Sequence, residues 1–120
     1  MKDLLQFLLI VLIFRFDSSL YFGNASYFKD IIRELVIEKG TQLKVLIIEA
    51  STINEMDSTG LHILEDVIAY LQDNKVELYL SGVKGPVRDL LTKAEMMGEI
   101  GPQNQFMTIH DALEFYKNKT

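Results

Sequence analysis

Val45-Leu46-Ile47-Ile48-Glu49-Ala50 is followed, after a short gap, by Met56-Asp57-Ser58-Thr59-Gly60-Leu61. A short, β-branched-rich apolar run reads as a buried strand, and the polar cluster behind it ends that strand. Leu61, Leu64, Val67, Ile68 and Leu71 then share one face at helical spacing. A buried strand feeding an amphipathic helix leaves few architectures open, because the helix has to cover a face of the sheet that holds the strand. Asp57, Ser58 and Thr59 fall where the strand meets the helix N-terminus, a place that favours negative charge. A hydroxyl there is well placed to carry a phosphate, which points to a switch rather than a catalyst.

The rest of the chain alternates in the same way. Val11 to Phe16 is rich in strand formers, and Ser19 to Phe22 reads as a second short strand after a polar break. Gly23-Asn24 signals a turn, with Asn24 as N-cap of a helix carrying Phe28, Ile31, Ile32, Leu35 and Val36 and ending at Lys39-Gly40. The helix after Asp57 runs to about Asp73, with Asn74 as its end signal. Val76 to Ser81 alternates apolar and polar, the period of a half-buried strand. Pro86 suits a first helical turn, Val87, Leu90, Leu91 and Ala94 line that helix, and Gly98 lies just past its expected end. Phe106-Met107 reads as a short strand, and Thr108 caps a last helix with Ile109, Ala112, Leu113 and Tyr116 on its apolar face. Strands separated by helices predict an α/β fold with a largely parallel sheet and right-handed crossovers.

The lead-in from Leu4 to Phe14 is strongly apolar, broken by Gln6 and then Arg15. It is shorter than the roughly 20 apolar residues of a membrane span. Arg15-Phe16-Asp17 follows it instead of a small-residue cleavage pattern, so it does not read as a signal peptide. Its second half reads as a core strand. With 120 residues and no linker or repeat, the chain makes one core: residues 1–10 form an apolar lead-in and residues 11–118 a single domain.

Charge and composition remove several function classes. A formal charge of −5, with 12 basic residues scattered among 17 acidic ones, argues against nucleic-acid binding. The lack of cysteine removes disulfides, thiol catalysis and thiolate metal sites together. His62 and His110 belong to no ligand spacing and read as surface or helix-end residues, so no metal site is expected. Glu55/Asp57 and Glu65/Asp66 are carboxylate pairs, but nothing marks either as a catalytic acid and base, and no cofactor is implied. Ser58 or Asp57 serves as N-cap in the plainest reading. In the functional one Ser58 accepts phosphate, which the helix end tolerates while the surface around it turns strongly anionic. Gly82-Val83-Lys84-Gly85, with Arg88 one turn on, is a weak anion or nucleotide-phosphate site at the next strand-to-helix junction, and reads more simply as a turn.

The apolar strand followed by Asp57-Ser58-Thr59-Gly60-Leu61 resembles the motif of STAS domains, found in sulfate transporters and anti-sigma-factor antagonists. In the antagonists the first serine of Asp-Ser-Ser-Gly is phosphorylated by a partner kinase; by position that residue is Ser58, with Thr59 in place of the second serine. The segment from Phe14 to Phe28 is similar to the opening of the cytoplasmic STAS domain of SulP-type anion transporters, with Ser19 where proline is frequent and Gly23 where alanine is. The resemblance spans about Val11 to Tyr116. It implies a small mixed, largely parallel sheet with about four helices packed mainly on one side. It also implies a non-enzymatic regulatory module at the inner face of the plasma membrane, touching the membrane only through a parent transporter. Its contact surface would be Asp57, Thr59, Gly60 and Leu61 around Ser58. The partner would be the transporter's transmembrane domain, another regulatory protein or a serine kinase. A free-standing antagonist and a nucleotide-binding sensor are the alternatives.

Overall fold

The computed structural model describes residues 4–119. In chain order it contains α1 (Leu4–Ile10), β1 (Val11–Arg15), α2 (Ala25–Lys39), β2 (Val45–Glu49), α3 (Ser58–Asp73) and β3 (Glu77–Ser81). Then follow α4 (Gly85–Lys93), α5 (Met97–Ile100), a 3-10 turn (Pro102–Asn104), β4 (Gln105–Phe106) and α6 (Ile109–Asn118). The strands pair in parallel in the order β1-β2-β3-β4, with Val45 opposite both Val11 and Glu77.

Strands added one after another in a single direction, with right-handed crossovers, put every crossover helix on the same face. That face holds the main core. Phe28 and Ile32 of α2, Leu64, Val67 and Leu71 of α3, and Val87 and Leu91 of α4 close over Leu46, Ile48, Leu78 and Leu80. Helix α6 follows the last strand and is under no such constraint. It lies on the opposite face, where Ala112 joins Val45, Ile47 and Tyr79, and Phe106 and Tyr116 pack around them. The expected one-sided packing thus holds for the crossover helices, with α6 and the short α1 as exceptions. Tyr79 is fully buried there, its ring 5.2 Å from that of Phe106.

Three local expectations are corrected. Ser19–Phe22 forms one isolated bridge, Leu20 opposite Met56, rather than a strand, because Tyr21 turns the chain back by accepting from the Asn24 amide. Asn24 does not cap α2 with its side chain: its amide group donates to Ser18 Oγ and the Ser19 carbonyl and its Oδ1 accepts from the Tyr21 N–H, bracing the loop instead. The helix opened by Pro86 stops at Lys93, since Glu95 adopts a φ of 60°; a second turn starts at Met97, so Gly98 lies inside α5 and Ala94 is exposed. The first strand begins at Val11, as expected, and the apolar lead-in before it is helical, as its leucines favour. Phe7 and Ile10 of α1 pack against the second face of the sheet, while Leu5, Leu8 and Leu9 remain exposed.

Candidate functional site

Parallel strands deliver their strand-to-helix loops to one end of the sheet, and the junction from β2 to α3 lies there. Past Glu49 the chain is tied down at intervals. The Ala50 amide donates to the Ser81 carbonyl, Thr52 Oγ1 to the Phe16 carbonyl at 2.6 Å, and Ile53 is buried. The next segment runs beside Leu20, whose amide donates to the Glu55 carbonyl at 2.9 Å while its carbonyl accepts from the Asp57 amide at 3.2 Å.

Asp57 is the N-cap of α3. Its Oδ1 accepts from the Gly60 amide at 2.8 Å and its Oδ2 from the Phe22 amide at 3.0 Å, so one carboxylate closes the helix end and holds a loop 35 residues away in sequence. The Gly60 amide, and then the Phe22 amide, hold the Asp57 carboxyl below the usual carboxylate range. Ser58 is the first residue of the helix; it and Thr59 are exposed. Gly60 is buried, and a Cβ at that position would run into the Leu20 carbonyl oxygen. Leu61 is half-buried against the main core. Of the contact surface expected from the sequence, Asp57, Ser58 and Thr59 are therefore accessible, while Gly60 and Leu61 form its floor.

The structure adds residues that sequence reasoning missed. Tyr21 and Phe22 stand exposed beside Asp57, Phe22 at 77%, with their rings edge-on at 6.2 Å, and Tyr27 is exposed on the first turn of α2. A shallow groove lined by Ser19, Leu20, Tyr21, Glu55, Met56 and Asp57 separates the two segments. The one sequence signal for this was Gly60, a glycine in the first turn of a helix, which marks a close backbone approach without naming the approaching residue.

The β3-to-α4 junction is built differently. Gly82 takes a φ of 70°, and a Cβ there would lie 2.8 Å from Glu49 Oε1. Lys84 donates from Nζ to Asn54 Oδ1 at 2.6 Å, and Arg88 from Nη2 to the Val83 carbonyl at 3.1 Å. Both cations thus turn toward their own chain, and Gly85 opens α4 with no atom near its missing Cβ. His62 and His110 are exposed on α3 and α6, the first 3.9 Å from Glu65, and Asp66 pairs with Lys29 at 3.4 Å. Among the described residues no group of histidines and carboxylates is placed to hold a metal, and no helix is long and apolar enough to cross a membrane.

The family model described as STAS domain matches residues 5–112. High affinity sulfate transporter 2 of Stylosanthes hamata is 32% identical over 118 residues, covering 92% of this chain and 18% of the transporter. The chain thus spans less than a fifth of the length of that relative. The crystal structure of a sulfate transporter family protein from Wolinella succinogenes superposes with a TM-score of 0.78 at 27% identity, over 89% of this chain and 84% of that one. A putative anti-sigma factor antagonist from Thermotoga maritima gives a TM-score of 0.76 at 18% identity, over 90% of this chain and 88% of that one, a likeness of fold. Sequence and architecture agree, and the chain belongs to the STAS domain family.

Proposed function

We propose that this chain is the non-enzymatic regulatory and interaction module of a SulP-type anion transporter, acting at the cytoplasmic face of the membrane. Its contact surface is the exposed part of the β2–α3 junction, and Ser58 is the residue whose phosphorylation changes that surface. The observation that carries this reading is the division of labour between neighbours. Asp57 makes the cap and holds the adjoining loop, which leaves Ser58 exposed on the first turn of a long helix. A phosphate there sits at the positive end of the helix dipole, so the fold tolerates it. The sequence relatives support the transporter assignment, since those matched over nearly the whole of this chain are sulfate transporters.

The first test is an immunoblot of fractionated native cells with an antibody against this domain. A membrane-fraction band several times larger than 13.8 kDa is expected. A soluble band near 13.8 kDa would overturn the transporter assignment and favour a free-standing antagonist. ATP-dependent labelling of Ser58 by a cognate kinase would then be its defining reaction.

A further inference from the structure

We propose that Asp57 is a latch that passes the state of Ser58 to the Tyr21–Phe22 tip, so that a phosphate on Ser58 releases the tip from the body of the domain. The inference rests on the reading of Ser58 as a modified residue. It concerns what the modification does, which the geometry of the neighbouring loop carries on its own.

The tip has little packing to hold it. Phe22 is 77% exposed and Tyr21 46%. Polar bonds fix its position: the Phe22 amide to Asp57 Oδ2, the Tyr21 amide to Asn24 Oδ1, the Tyr21 carbonyl accepting from the Asn24 and Ala25 amides, and the two backbone bonds of Leu20 to the Glu55–Asp57 segment. Among these, the bond to Asp57 is the one made by a charged group directly adjoining Ser58. Phosphorylation moves the terminal phosphoryl of a nucleoside triphosphate onto Ser58 Oγ, with the diphosphate leaving and the hydroxyl proton passing to solvent. It puts nearly two negative charges one residue from an ionised carboxylate and adds strong acceptors that compete for the same helix-end amides. Asp57 has two donors to lose. The Gly60 amide lies within the first turn of α3 on a buried residue, whereas the Phe22 amide belongs to an exposed loop. The outer bond is the one that yields. Tyr21 then keeps its bonds to Asn24 and the Ala25 amide, the Phe22 amide loses its carboxylate acceptor, and the aromatic surface beside Ser58 changes shape as well as charge.

Amide hydrogen exchange of Phe22, followed by NMR, tests this on three proteins: wild type, Asp57→Asn, and the chain made with phosphoserine at position 58. In Asp57→Asn the new side-chain oxygen can serve Gly60, but the new NH2 cannot accept from Phe22. Exchange at Phe22 about tenfold faster in both altered proteins is expected, with the amides of β2 and β3 unchanged. Unchanged protection in Asp57→Asn would overturn the latch, and unchanged protection in the phosphoserine protein would overturn its coupling to Ser58. The phosphoserine sample needs no kinase, so a failure of Ser58 to be phosphorylated in cells would sink the switch while leaving this result standing. It also tests the coupling should Asp57→Asn not fold.

Discussion

Two of the strand-to-helix junctions at the carboxyl end of the sheet, β2–α3 and β3–α4, are made of similar parts, yet they are closed in different ways. At β2–α3 the chain is held by a distant segment: Leu20 pairs with Glu55 and Asp57, Phe22 donates to the Asp57 carboxylate, and Gly60 lets the Leu20 backbone come close. At β3–α4 the junction is closed by the adjoining sheet and loop, with the Gly82 amide donating to the Phe106 carbonyl at 2.9 Å. Lys84 reaches Asn54 in the adjoining loop, Arg88 turns back to Val83, and Lys84 at the N-cap position makes no side-chain cap bond. A helix N-terminus and a nearby glycine are common to both. What separates them is which part of the chain is fitted against the junction: at the second it is β4, through the Phe106 carbonyl, whereas at the first it is the Leu20–Phe22 loop, next to an exposed hydroxyl beside the cap.

The contrast breaks first at the glycines. Gly60→Ala forces a methyl group into the Leu20 carbonyl and is expected to destabilise the fold by about 3 kcal/mol. In a thermal melt that is a fall of roughly 10 °C or more. Gly85→Ala meets open space at the start of a helix and should stay within about 0.5 kcal/mol of wild type. Equal effects at the two positions would remove the distinction. A smaller difference is expected at the caps. Asp57→Ala loses both the helix cap and the Phe22 bond and lowers the melting temperature by several degrees, whereas Lys84→Ala, an exposed side chain, changes it little.

Acid sharpens the same comparison. Two amides lower the pKa of the folded Asp57 carboxyl, so its contribution is complete above the unfolded value and is lost as pH falls through the lowered one. The difference in melting temperature between wild type and Asp57→Asn should therefore shrink as the pH falls from about 5 through the lowered value. A difference that stays constant over that range would mean the carboxylate is not held as described. The smallest effect is expected at Ser58 itself: Ser58→Asp adds charge at an exposed first-turn position and should leave the melting temperature within about 2 °C of wild type. Titration calorimetry with ATP or GTP should give no saturable heat. Saturable heat abolished by Lys84→Ala would restore the β3–α4 junction as a ligand site.

Much of this architecture was legible because burial leaves a periodic trace. Val45–Ile48 are buried on both faces and read as a continuous apolar run; α2 and α3 bury one stripe each, and their apolar residues recur at helical spacing. Where the trace is missing, the reading fell short. The lead-in is apolar at almost every position, so no period distinguished helix from strand before Val11. The break between α4 and α5 depends on one backbone angle at Glu95, a residue with no special liking for it. Ser58 stands out in the sequence through the polar cluster that follows a buried strand. The Phe22–Asp57 bond was not, because an amide donor looks the same in every residue and its acceptor lies 35 positions away.

The most direct test of the central claim replaces the matching segment of the Stylosanthes hamata sulfate transporter with this chain and measures sulfate uptake. Wild type, Ser58→Ala and Ser58→Asp would be compared at equal amounts in the membrane. The account predicts that the wild-type chimera transports and that Ser58→Asp changes its rate at least about twofold relative to Ser58→Ala, with the fold intact. Identical rates for the two variants, or a chimera that reaches the membrane and carries no sulfate, would contradict it.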